Sequence, residues 1–480
     1  MKQINDLDHS SAMGNNLNKT DQFAKGITNQ QDEPTIPYET KSNQTLEEFW
    51  SEQDGEIPRQ VTAIVVGAGN RGQHYANFAV DFPSRLKIVG VAEPQKHRRE
   101  TLQKLHNIPD EHSLDGWSKL AMLDKIADVA IISTQDHMHK DPSIAFANKG
   151  YHLLLEKPMA VSETDCELIA EACERNKVMA AIGHVMRYAP PCVKIREIIA
   201  SGILGEIVTI NHHENVLFWH FAHSFVRGNW RNTESSTFSL MAKCCHDIDL
   251  IMYWMGDRKC TSVQSFGNVY HFKESQKPEG AASRCLECPV EKDCPYSVQK
   301  IYLQGFNDAP MWPMSAVCDI EDHPAGYAVA LKEALETGPY GRCVYSCDND
   351  VCDHQMVNME FDGGATAVMT MNAFTSDMRR ETRICGTHGE LRWDGSSHQA
   401  IRVYLFATEE RKEIFPDQVV PPCRTRGHGG ADFFLMNAVT KAIAHNDPSL
   451  LSSNVIQSLT SHKVVFAAEK SRLEKTVETI

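Results

Sequence analysis

Between residues 58 and 185 short apolar runs alternate with helical stretches, and this cadence restricts the fold more than any other feature of the chain. The runs are QVTAIVVG, LKIVGVAEP, ADVAIIST, YHLLLEKP and VMAAIGHV. Unbroken apolar runs of this length mark strands buried on both faces, as in a parallel sheet covered by helices. The alternation predicts a doubly wound Rossmann domain over 58–185. The helix SETDCELIAEACERNK opens on Ser162 and Asp165, spaced as a capping pair.

The first run leads straight into GAGNRG. Gly67 permits a tight turn, Gly69 lets backbone approach a pyrophosphate, and Gly72 lets the next helix pack against the strand. Asn70 and Arg71 lie in that turn, at a helix N-terminus whose N–H groups suit phosphate. Glu93 ends the second strand 21 residues after Gly72, where a carboxylate accepts from a ribose diol and favours NAD. Lys96, Arg98 and Arg99 follow closely and leave NADP open.

After residue 186 the rhythm changes. One helix (PPCVKIREIIASG) and an apolar helix ending at Gly256 are set among strand after strand, EIVTINHHENV, VQSFGNVYHF, HQMVNMEF, ATAVMTMNAF and ETRICGT. This predicts an α+β domain over 186–425 with a large, open, mostly antiparallel sheet, interrupted by a Cys-rich insertion at about 280–352. Residues 426–480 read as C-terminal helices, and residues 1–55 as a mostly disordered tail with LEEFW (46–50) as a docking turn.

A net charge of −15 argues against a nucleic-acid or anionic-membrane partner. No apolar run approaches the roughly 20 residues that span a bilayer. The first residues show no secretory pattern, so the 15 cysteines are expected as reduced thiols in the cytosol.

Taken in order, GAGNRG, STQDHMH (133–139), EKP (156–158), GHVMRYAP (183–190) and CCHDID (244–249) resemble the glucose–fructose oxidoreductase/inositol dehydrogenase (Gfo/Idh/MocA) family. The resemblance is strong over about 60–256 and looser beyond. It implies a nicotinamide cofactor in a cleft between the domains and oxidation of a sugar, cyclitol or related polyol. Two related activities stay open, an NAD-dependent glycosidase working by transient oxidation and elimination, and a non-catalytic NAD-binding regulator. Thr134, His139 and Glu156 fall in the motifs that line the cofactor. Lys157 and His246 match the residues that work at the substrate hydroxyl. Open-sheet relatives associate through that sheet, so a homodimer or homotetramer is expected.

The chemistry supports the same pair. Removing hydride from a carbinol carbon requires a group that takes the hydroxyl proton and steadies the alkoxide. Lys157 would stand at the carboxyl end of a parallel strand, where ligands of doubly wound sheets bind, and Pro158 keeps it extended. An imidazole such as His246 donates or accepts within the physiological range. Where the family often has an aspartate, one turn before the histidine, this chain has Ala242. Asp249 shares a helix face with His246 and is a candidate substrate contact. Arg187 and Tyr188 at the domain junction, and Arg227, Trp230 and Arg231 in an aromatic-rich stretch, suit a sugar or an anionic group on it. His428 and Asp432 are weaker candidates for the same pocket.

Cys285, Cys288 and Cys294, with Cys343 further on, could form a structural zinc site. Free thiols and iron–sulfur chemistry remain alternatives.

Overall fold

A computed structural model describes residues 55–304, 312–318, 326–395 and 400–480, together with Glu47, Trp50, Ser51 and Asp54. Most of the tail expected to be disordered therefore lies outside the described residues. Trp50 is buried with its ring centroid 4.6 Å from that of Phe433, as expected of a docking turn.

The first sheet has six parallel strands in the order β3-β2-β1-β4-β5-β6. They are β1 (Val61–Val66), β2 (Leu86–Ala92), β3 (Ser113–Leu114), β4 (Val129–Ile132), β5 (His152–Leu155) and β6 (Ala180–Ile182). Side chains alternate across it: Val61, Ala63 and Val65 join one core cluster, Ile64 and Val66 the other. Helix α1 (Asn70–Ala76) follows β1, and α2 (Glu163–Arg175) begins at Ser162, whose hydroxyl accepts from the Asp165 N–H at 3.2 Å. The capping expectation holds.

The second sheet has nine strands in the order β14-β13-β12-β11-β7-β10-β9-β8-β15. These are β7 (Ile207–Leu217), β8 (Cys260–Asn268), β9 (His354–Phe361), β10 (Thr366–Thr375), β11 (Arg380–Gly386), β12 (Gly389–Trp393), β13 (Ile401–Leu405), β14 (Arg411–Ile414) and β15 (Glu478–Thr479). Only the β7–β10 pair is parallel. Helix α3 (Ser239–Met255) is buried along nearly its whole length.

Helices α4 (Ala431–His445) and α5 (Val455–Glu474) do not stand apart as a separate C-terminal unit. α4 packs on β1 and on the 3-10 turn Val185–Tyr188. α5 packs on α2, α3 and β8. The last helices thus clamp the two sheets together. Among the described residues, no helix is long and apolar enough to cross a membrane.

Candidate active site

Gly67 has φ +89°, and a Cβ there would lie 2.6 Å from the Ser133 carbonyl oxygen. A Cβ on Gly72 would run into the Gly67 carbonyl. Gly69 is different: its nearest neighbour is the Arg98 guanidinium at 3.8 Å, which leaves room above the turn. Ser133 Oγ and Thr134 Oγ1, just beyond β4, are buried without a partner among the described residues. An open glycine face beside two unpartnered hydroxyls fits a pyrophosphate and the ribose next to it. The Glu93 carboxylate lies under the turn, accepting from Ala68 N–H at 2.7 Å and Gln95 N–H at 2.9 Å. Asn70 is exposed at the start of α1.

Three residues expected to line the cofactor also tie the scaffold together. Arg71 turns inward, donating from Nε to Glu156 at 2.6 Å and from both terminal nitrogens to Asp432 at 2.8 and 3.1 Å. Its guanidinium lies 4.5 Å over the Tyr75 ring. Glu156 is buried and also accepts from Tyr75 Oη at 2.6 Å. Burial alone would raise Glu156, yet Arg71, Tyr75 and Lys157 hold it below the usual carboxylate value. Asp432 behaves alike: burial opposes its charge, and Arg71 pulls it well below the ordinary range. His139 is buried between the carbonyls of Pro158 (2.7 Å) and Thr134 (3.1 Å), so it fastens the cofactor loop to the end of β5.

Lys157 follows β5 directly. Its backbone N–H donates to Glu156 Oε2 at 2.9 Å, and its Nζ donates to the Ala242 carbonyl on α3 at 2.7 Å. One turn along α3 is His246, 7% exposed, with Nδ1 buried and unpartnered among the described residues. Burial first, and Lys157 second, hold His246 well below its ordinary value, so the ring is neutral. Lys157 and His246 are thus brought to one place by two elements far apart in sequence.

Other imidazoles surround them. The His184 ring centroid is 5.6 Å from that of His246 and 5.3 Å from that of His462, and the His428 centroid is 6.5 Å from His246. Burial pushes His184 down to about 4 and His462 to about 3. His462 accepts from Met159 N–H at 3.0 Å and so braces the chain just after EKP. His428 sits at φ +54° with Nδ1 3.1 Å from Asp432. His428 and Asp432, weaker candidates from the sequence, lie beside His246 and Arg71 respectively. No signal in the sequence marked His462, a lone histidine on a C-terminal helix.

Several expected substrate contacts have partners within the protein. Asp249 does not serve His246: it takes two bonds from Arg187, at 2.6 and 2.8 Å, and one from Ser461 at 2.9 Å. Arg187 is buried and gives its remaining donors to Ser452 O and Gln457. Tyr188 Oη bonds Ser453 at the foot of α5. Arg227 is fully buried inside the insertion, because carbonyls of Tyr296 and Arg342 fold over it. Arg231 pairs with Asp348 at 2.9 Å. Trp230 Nε1 donates to Asp136 Oδ2 at 2.9 Å, joining the second domain to the loop after β4. Beneath α3, Asp247 accepts from Arg380 at 2.7 Å and faces His212 at 2.9 Å. Glu214 meets Lys243 at 3.0 Å and Arg380 at 3.1 Å.

All fifteen cysteines are unbridged. Zinc at Cys285, Cys288, Cys294 and Cys343 is not supported. Among the described residues, no group of three or more His, Cys, Asp or Glu is arranged to hold a metal ion.

A six-stranded dinucleotide fold, a glycine turn with room for phosphate and a lysine–histidine pair at the sheet's carboxyl end define a nicotinamide oxidoreductase framework. Family comparison agrees. Residues 61–184 match the oxidoreductase family NAD-binding Rossmann fold, and residues 196–478 match its C-terminal alpha/beta domain. The chain belongs to the Gfo/Idh/MocA oxidoreductase family. It is 23% identical over 371 residues to the putative oxidoreductase YteT of Bacillus subtilis, covering 74% of this chain and 82% of YteT. It is 27% identical over 209 residues to the 2,7-anhydro-N-acetylneuraminate hydratase of Escherichia coli, covering 43% of this chain and 53% of the hydratase. The solved inositol dehydrogenase homolog of Azotobacter vinelandii, complexed with NADH and myo-inositol, superposes with a TM-score of 0.61 at 13% identity. That match covers 88% of this chain and 98% of the homolog.

Proposed function

We propose that the chain is an NAD-dependent dehydrogenase oxidising a CH–OH group of a sugar, cyclitol or related polyol. The observation that carries this reading is the meeting of Lys157 with α3, through Ala242 O at 2.7 Å, one turn before the neutral, buried His246. Glu93 beneath the glycine turn favours NAD over NADP. When bound, the nicotinamide supplies the hydride acceptor. Lys157 handles the hydroxyl proton and steadies the oxygen as charge builds on it. The unpartnered His246 Nδ1 is available to a hydroxyl of the same substrate. Glu156, held charged by Arg71, fixes the backbone from which Lys157 projects.

The test is to follow absorbance of the reduced cofactor while screening sugars, cyclitols, sugar acids and aryl glycosides. Stoichiometric NADH with a polyol supports the reading. The likeness to a protein named a hydratase favours a second reading, transient oxidation followed by elimination. That reading requires substrate turnover, including glycoside cleavage, with no net change in cofactor.

For the assembly we propose a homodimer or homotetramer through the nine-stranded sheet. Val208, Phe266 and Met356, on β7, β8 and β9, are exposed apolar side chains of that sheet. A monomeric mass by light scattering at micromolar concentration would contradict this.

A further inference from the structure

Lys157 projects from the end of β5, and two imidazoles hold the chain that follows it. On one side His139 Nδ1 lies 2.7 Å from Pro158 O. On the other, His462 Nε2 accepts from Met159 N–H at 3.0 Å. His462 stands on α5, 303 residues further along the chain, and its ring is fully buried.

The hydrogen bonds of this ring leave it one arrangement. Its Nδ1 is 2.7 Å from Ser458 O on the preceding turn of α5. A carbonyl only accepts, so Nδ1 carries the hydrogen and Nε2 is the acceptor that Met159 N–H requires. One neutral tautomer meets both bonds, and burial keeps the ring neutral. The His184 ring packs across it, with centroids 5.3 Å apart.

The sheet offers Met159 no partner. The residue-by-residue pairing of β5 ends at Leu155, with Ile132 on one side and Ile182 on the other. Met159 is buried, and a buried backbone donor needs an acceptor. Here the acceptor is a planar ring pinned at its far edge, so Met159 is fixed relative to α5. Lys157 lies two residues before it. At the other end of the lysine, Nζ donates to Ala242 O on α3, and α3 packs on α5. Root and tip of Lys157 are thus both set from one helix.

We propose that His462 is a positioning residue for Lys157. It fixes the chain from which the lysine reaches the substrate hydroxyl, and with both its nitrogens taken it acts through the lysine alone. This role rests on Lys157 being the group that handles the hydroxyl proton.

The test compares His462→Asn with His462→Gln in the full chain, using the polyol that yields most NADH with the wild type. An asparagine amide can replace Nδ1 and keep the Ser458 bond, but nothing then reaches Met159 N–H. A glutamine amide oxygen can stand where Nε2 stood. His462→Asn should lower kcat about tenfold to a hundredfold, because a misplaced catalytic group loses rate without losing binding. KM for the polyol and the NAD dissociation constant should stay within about threefold of wild type, and His462→Gln should restore kcat to within about threefold. If His462→Asn does not fold, His462→Leu removes the same acceptor and carries the same expectation. Wild-type kcat in the folded variant lacking the acceptor would overturn the proposal. Equal losses of kcat and NAD affinity, or a glutamine variant no better than the asparagine one, would do the same. Lys157→Ala is measured alongside. Wild-type turnover in that variant would sink the reading of the lysine itself, whereas an inactive Lys157→Ala beside a fully active His462→Asn sinks only the role of His462.

Discussion

Position 242 holds an alanine where the family resemblance implies an aspartate, and its backbone does the work: the Ala242 carbonyl accepts from Lys157 Nζ at 2.7 Å. With no carboxylate there, His246 is left neutral by burial and by the neighbouring lysine. Replacing His246 with alanine should lower kcat/KM by about 10²–10⁴-fold on the preferred polyol, with NAD affinity little changed. A fall in NAD affinity with kcat intact would show that the ring serves the cofactor instead. Gly67→Ala should weaken NAD binding at least tenfold and lower stability by about 1–3 kcal/mol, read by titration and by urea unfolding. Its Cβ would meet the Ser133 carbonyl from a left-handed backbone. Gly67 and Lys157 were legible because turn geometry and strand position are local properties. Arg227 was not, since its partners Cys285, Tyr296 and Arg342 lie 58 to 115 residues further on.

Arg71 on α1 joins three elements, the glycine turn, the end of β5 through Glu156, and α4 through Asp432. Arg71→Met would leave two buried carboxylates without their cation. The expected loss is about 3–5 kcal/mol in urea unfolding, and a loss below about 1 kcal/mol would mean that the tie matters little. The long strands of both sheets were readable from unbroken or alternating apolar runs. The two-residue strands β3 and β15 were not, since elements so short carry no period. β12, β13 and β14 were missed because charged and polar residues interrupt them, so they lack the apolar runs that marked the equally short β4 and β5. That α4 and α5 bridge the sheets was also hidden, because a C-terminal amphipathic pattern does not say which surface it will cover.

Across the whole molecule, buried histidines make stability sensitive to acid. Burial lowers His184 to about 4 and both His223 and His462 to about 3, against about 6.5 in the unfolded chain. Below pH 6.5 the unfolded state therefore binds more protons, and stability falls as pH drops towards those lower values. At pH 5 each ring contributes a loss of about 2 kcal/mol relative to neutrality. Glu156, Asp249 and Asp432, held charged by arginines, extend the loss below the usual carboxylate range. Urea midpoints should decline steadily from pH 7 to pH 5, and a flat profile would contradict the assignment. The central claim is that Lys157, where β5 meets α3, handles the substrate proton. It is tested most directly by measuring turnover and NAD affinity together in Lys157→Ala, using the best substrate of the wild-type screen. The account predicts turnover reduced by about 10²–10⁴-fold, with the NAD dissociation constant within about threefold of wild type. Turnover equal to wild type would contradict it.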